Sequence, residues 1–196
     1  MKTLLIILLM SFCWPPKTVL KEKWLIEKES NLYFEGRTNI SNFRCGITSY
    51  LRPDTVCFCR EDASKTILGI KGGLCIDVNG FECQQPYMNK DLRKALKAKE
   101  CPLMRISLLS IGNFTGNVPH VKGKVAICLA GVTRIMDVDY TVQPVDDNSL
   151  RLYGKQKVLF ADFDLTPPRK MAGLVKVEQQ IDVNFMLALR LIKQCI

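Results

Sequence analysis

Histidine is nearly absent: His120 is the one imidazole in 196 residues. That excludes metal sites built from several histidines and leaves serine, cysteine or aspartate nucleophiles without a second imidazole to serve them. His120 follows Asn117-Val118-Pro119, a turn-like setting that predicts a solvated loop histidine rather than a general base. No apolar run approaches the ~20 residues of a membrane-spanning helix, which excludes a polytopic helical membrane protein. There is no glycine elbow around a serine and no Cys-x-x-Cys pair; Cys57-Phe58-Cys59 instead puts two sulfurs on one face of a predicted strand, so no metal site is expected. Asp162 and Asp164 share a predicted strand face with no second carboxylate pair to suggest acid–base work, and the chain reads as a non-enzyme. Low-complexity linkers, internal repeats and strand–helix alternation are also missing, so one domain without a parallel α/β core is expected.

What is present is apolar, basic and rich in cysteine. Hydrophobic residues make up 47% of the chain, which excludes intrinsic disorder, and the formal charge is +9. Met1-Lys2 followed by the apolar stretch Thr3–Phe12 has the form of a secretory signal with a cut before Trp14. Residues 1–13 are therefore read as a signal peptide, 14–25 as a basic lead-in and 26–196 as the domain. Lipid attachment at Cys13 is the less favoured alternative, because Phe12 is larger than the residue usual before a lipidated cysteine. Export from the cytoplasm is expected. Cleavage leaves Cys45, Cys57, Cys59, Cys75, Cys83, Cys101, Cys128 and Cys195, an even number in an oxidising compartment with the connectivity open. Cys83 and Cys101, which flank a predicted helix, are the first pair expected to bridge.

Periodicity is the strongest signal. From Val175 to Leu191 the odd positions are almost wholly apolar (Val175, Val177, Ile181, Val183, Phe185, Leu187, Leu189, Leu191), while the even ones include Lys176, Glu178, Asp182 and Arg190. A period of two over so long a span predicts a strand that must curve around a core, as barrel strands do. Shorter alternations recur at Met136–Val142, Leu150–Phe160, Val125–Leu129, Met104–Leu108 and Leu32–Phe34, with turn signals at Arg52-Pro53-Asp54, Gly72-Gly73, Asn79-Gly80, Gly112-Asn113 and Asp146-Asp147-Asn148. One stretch departs from the pattern. Asn89–Lys99 carries Leu92 and Leu96 at i and i+4, Asn89 as N-cap, Asp91 in the first turn and Pro102 beyond, and so predicts a short helix. About eight strands and one helix make an all-β antiparallel barrel or sandwich.

Four ordered patterns resemble the YceI-like family of secreted lipid-binding domains. They are Gly36-Arg37-Thr38-Asn39-Ile40-Ser41-Asn42-Phe43-Arg44-Cys45; Phe81-Glu82-Cys83 through Met88 and Asp91-Leu92 to Pro102; Leu129-Ala130-Gly131-Val132-Thr133; and Asp162-Phe163-Asp164-Leu165-Thr166-Pro167-Pro168 with Gly173–Val177. They span roughly residues 26–194. Cys57, Cys59, Cys75 and Cys195 have no counterpart in those patterns. The resemblance implies a lipocalin-like barrel that encloses a polyisoprenoid or another long-chain lipid, with no catalytic residues and no cofactor.

The residues themselves supply an apolar inner face: Leu32, Phe34, Phe43, Met104, Ile106, Leu108, Val125, Ile127, Val138, Tyr140, Phe160, Val183 and Phe185. Such a wall binds by hydrophobic transfer, at about 0.8 kcal/mol per buried CH₂. Arg93, Lys94, Lys97 and Lys99 on the predicted helix suit an anionic membrane surface. Aromatic residues do not interleave with basic ones, so nucleic acid is not an expected partner. Two rival readings remain: a filled barrel acting as a structural or interaction protein, and a small enzyme acting on an isoprenoid through Tyr140, Gln156 or Gln179.

Overall fold

The long alternation before Leu191 becomes the longest strand of the molecule, and the other strands are arranged around it. In the computed structural model residues 20–60, 66–114, 120–170 and 173–195 are described; the expected signal segment and Cys13 lie outside them. The strands are β1 (Leu20–Ile26), β2 (Asn31–Thr38), β3 (Asn42–Ile47), β4 (Thr55–Arg60), β5 (Ile67–Asp77) and β6 (Glu82–Cys83). After helix α1 (Pro86–Ala95) come β7 (Leu103–Gly112), β8 (His120–Leu129), β9 (Val132–Asp146), β10 (Ser149–Leu159), β11 (Arg169–Lys170) and β12 (Val175–Cys195). The order β1-β4-β5-β7-β8-β9-β10-β12 closes into an eight-stranded antiparallel barrel, because β12 pairs back onto β1.

One edge of β12 pairs with β10 from Gln180 to Arg190. Its other edge pairs with β2 near its start and with β1 near its end. Thus β1 and β2 form one broken strand, and β3 and β4 form a second beside it. The break falls at Glu27–Ser30, where two residues of β12 would lose their ladder partner. Ser30 repairs it. Its Oγ accepts from Ala188 N–H at 3.0 Å and donates to Ala188 C=O at 3.4 Å, while Glu27 N–H donates to the same carbonyl at 2.8 Å. Ser30 is itself fully buried, at 1% exposure, so its hydroxyl meets this backbone edge where water does not.

Four expectations change. The stretch read as a basic lead-in supplies β1 from Leu20 onward, because Trp24 and Ile26 are core residues only 7% and 2% exposed. Gly72-Gly73 is no turn: it is an irregularity within β5, where Gly72 takes φ +105° and a Cβ on Gly73 would stand 1.9 Å from Ile106 O. The helix starts earlier than Asn89, since Pro86 fits its first turn, and Asn89 Oδ1 instead accepts from Cys83 N–H at 2.7 Å. It also ends before Lys99, where Lys97 turns to φ +53° and the Lys97 and Ala98 amides return to the carbonyls of Lys94 and Arg93.

The disulfide is the fourth. Cys83 bonds to Cys45, its register partner across β3 and β6, and not to Cys101. β6 turns Cys83 toward β3, whereas Cys101 stands as a free thiol beside the Gly131 turn.

Candidate functional site: an apolar two-lobed interior

Alternate residues along each strand point inward, fill most of the barrel and leave two voids with apolar walls. The larger, about 100 Å³, lies at the helix end among Phe34, Phe81, Leu92, Leu96, Phe160 and Phe163. The smaller, about 40 Å³, lies deeper among Ile47, Tyr50, Leu74, Leu108, Val125 and Val138. Leu32, Ile106, Ile127, Val158 and Val183 line both and form a waist between them. The two lobes are therefore neighbours, separated by a shared ring of apolar side chains.

Of the residues read from the sequence, Leu32, Phe34, Met104, Ile106, Leu108, Val125, Ile127, Val138, Phe160, Val183 and Phe185 line one lobe or both. Phe43 and Tyr140 line neither. The Phe43 ring lies over its cross-strand neighbour Gly36, where a Cβ would come within 2.3 Å of it. Tyr140 packs edge to face with Phe185 at 5.9 Å, and Phe185 in turn occupies the space left by Gly154. Phe185 lines both the smaller lobe and an outer groove around Gly154, and Tyr140 lines that groove. Tyr140 is buried with its hydroxyl unpartnered, and burial pushes its pKa far above the ordinary phenol value.

Sequence reading missed Phe81, Leu92, Leu96, Val158, Phe163, Leu165 and Ile181 around the larger lobe. Val158 and Ile181 belong to alternations already visible, and Leu92 and Leu96 to the i, i+4 pair of the helix. Phe81, Phe163 and Leu165 sit in turns, where no period marks an inward side.

The polar candidates are dispersed. Gln156 borders the smaller lobe with its Nε2 donating to Lys157 C=O at 3.1 Å, while Gln179 is exposed. His120 is the first residue of β8 rather than a loop residue; it is exposed, with Nδ1 3.0 Å from Thr141 Oγ1. Asp162 lies in a 3-10 turn, where it accepts from Leu159 N–H at 2.8 Å, and Asp164 pairs with Arg134, so the two share no strand face. Lys94 on the helix and Lys97 and Lys99 in the turn after it are exposed, but Arg93 is half-buried and donates to Asn79 C=O at 2.9 Å.

Among solved structures the fold is shared with Burkholderia cenocepacia BcnA, at 13% identity and TM-score 0.64 over 83% of this chain and 98% of that one. It is shared too with a polyisoprenoid-binding domain from Saccharophagus degradans implicated in plant cell wall breakdown, at 14% identity and TM-score 0.59 over 87% and 98%. A Campylobacter jejuni YceI protein matches at 16% identity and TM-score 0.50 over 65% and 72%. The fold is thus that of YceI-type barrels. No family model and no curated protein matches the sequence.

Proposed function

We propose that the protein binds a long apolar chain of the polyisoprenoid or isoprenoid-quinone type inside its barrel, as a sequestering or carrier protein of the bacterial envelope. The observation that carries this is the pair of adjoining apolar lobes, which share five wall residues between the helix end and the barrel centre, in a fold shared with a polyisoprenoid-binding domain. The Cys45–Cys83 bridge supports an oxidising compartment. The two lobes are smaller than the ~300–1,000 Å³ of most ligand sites, so a chain enters by spreading the waist side chains into other rotamers. Apolar transfer supplies the driving force, and no charged group at the walls opposes it. Lys94, Lys97 and Lys99 would hold the helix end against an anionic bilayer from which the chain is drawn.

The test is native mass spectrometry of delipidated protein offered a long-chain polyprenol. One chain per protein is expected, with uptake lost in Ile127→Trp, which plugs the waist. A wild-type protein that stays empty removes the carrier role. The small lobes would then favour the second reading, a filled barrel acting as a scaffold.

A further inference from the structure

Among the described residues, the barrel wall is hydrogen-bonded all round at the level where β4 flanks β5 and not at the level of β3. Where β4 flanks β5, Val56 to Cys59 pair with Gly72 to Gly69. Beyond Gly72, residues Gly73–Asp77 of β5 pair with β7 on one side and, among the described residues, with no strand on the other. β3, which occupies that level, pairs with β2 and, through Cys45 and Gly46, with β6. A seam is left between β3 and β5.

The seam is held at two points of different strength. At one, the Cys45–Cys83 disulfide ties β3 to β6 covalently. At the other, Tyr50 stands in for the missing strand. Its hydroxyl accepts from Cys75 N–H at 2.8 Å and donates to the Asp54 carboxylate, whose Oδ2 lies 3.2 Å from the same amide. Cys75 C=O lies 3.3 Å from that hydroxyl. Burial and the Asp54 hydrogen bond raise the Tyr50 pKa far above the usual phenol value, so the latch keeps its proton throughout the neutral range.

Between these points the wall is one side chain thick. Ile47 and Tyr50 line the smaller lobe on their inner side and, on their outer side, an open groove of about 810 Å³. Elsewhere, admitting a chain between strands breaks a ladder of backbone hydrogen bonds. Here it requires only that a phenol leave its partners and that an isoleucine change rotamer.

We propose that this seam is a side portal through which an apolar chain enters and leaves the smaller lobe, with Tyr50 as its latch and Ile47 as its plug. The proposal rests on the lipid-binding reading. It is tested by stopped-flow uptake of a fluorescent polyene fatty acid by the full chain, and by its release to acceptor vesicles. Tyr50→Phe keeps the ring and deletes the hydroxyl, so uptake and release should both accelerate by about tenfold, because a gate alters both rates together. Ile47→Trp should slow both. Faster deuterium exchange at the Cys75 amide in Tyr50→Phe gives an independent readout of the open latch. Wild-type rates in both variants, or slower exchange of probe in Tyr50→Phe, would overturn the portal and leave lipid binding standing. Equilibrium fluorescence showing no probe bound by the wild type would remove both.

Discussion

Ser30 and Tyr50 solve the same problem at neighbouring places. Each lies where a broken strand leaves a backbone edge without its partner, and each brings one hydroxyl to that edge: Ser30 serves both the N–H and the C=O of Ala188, while Tyr50 accepts from Cys75 N–H and gives its proton to Asp54. Ser30→Ala orphans a buried amide and should cost about 2 kcal/mol, read from the urea midpoint. Tyr140 is the opposite case, a buried hydroxyl with no partner. Tyr140→Phe should leave stability unchanged or raise it by about 1 kcal/mol at neutral pH. The sign of its alkaline effect follows from its raised pKa. The unfolded phenol ionises as pH rises past its ordinary pKa of about 10, while the folded one does not, so the folded state loses stability above that point. Replacing Tyr140 with Phe should move the alkaline unfolding edge to higher pH, as followed by circular dichroism.

Elements were legible in the sequence to the degree that they carry a period. β12 was visible because every second residue from Ile181 to Leu191 is apolar, and β7 to β10 for the same reason. The helix was visible through Leu92 and Leu96, but its start depends on Pro86 and its end on a left-handed lysine, neither of which is periodic. β1 was hidden because Lys21, Glu22 and Lys23 read as surface and Trp24 and Ile26 are too few to show alternation. The disulfide was hidden for a topological reason. Cys45 meets Cys83 only because the two-residue strand β6 pairs with β3, and so short a strand leaves no pattern. Alkylation followed by mass spectrometry should label Cys101 and spare Cys45 and Cys83 in unreduced protein. The bridge spans 38 residues, a loop whose opening should cost about 3–4 kcal/mol of stability, measured as a fall in urea midpoint on adding reductant.

At the scale of the whole molecule, the inward face was legible as a surface but not as a space. Alternation says which side chains turn inward; whether they leave room depends on how Phe81, Phe163 and Leu165 pack from the turns, and on Phe43 and Tyr140 being drawn onto glycines instead. The closure also sets an order of events. Lys21 finds its partner in Cys195, and Asn31 in Met186, so the first strands must wait for nearly the entire chain to be synthesised before their edges are covered. Until then they are sticky, and folding dominated by such distant pairings is slow. The cylinder thus stays open along β1 and β2 for as long as β12 is withheld, and the last residues made are the ones that shut it.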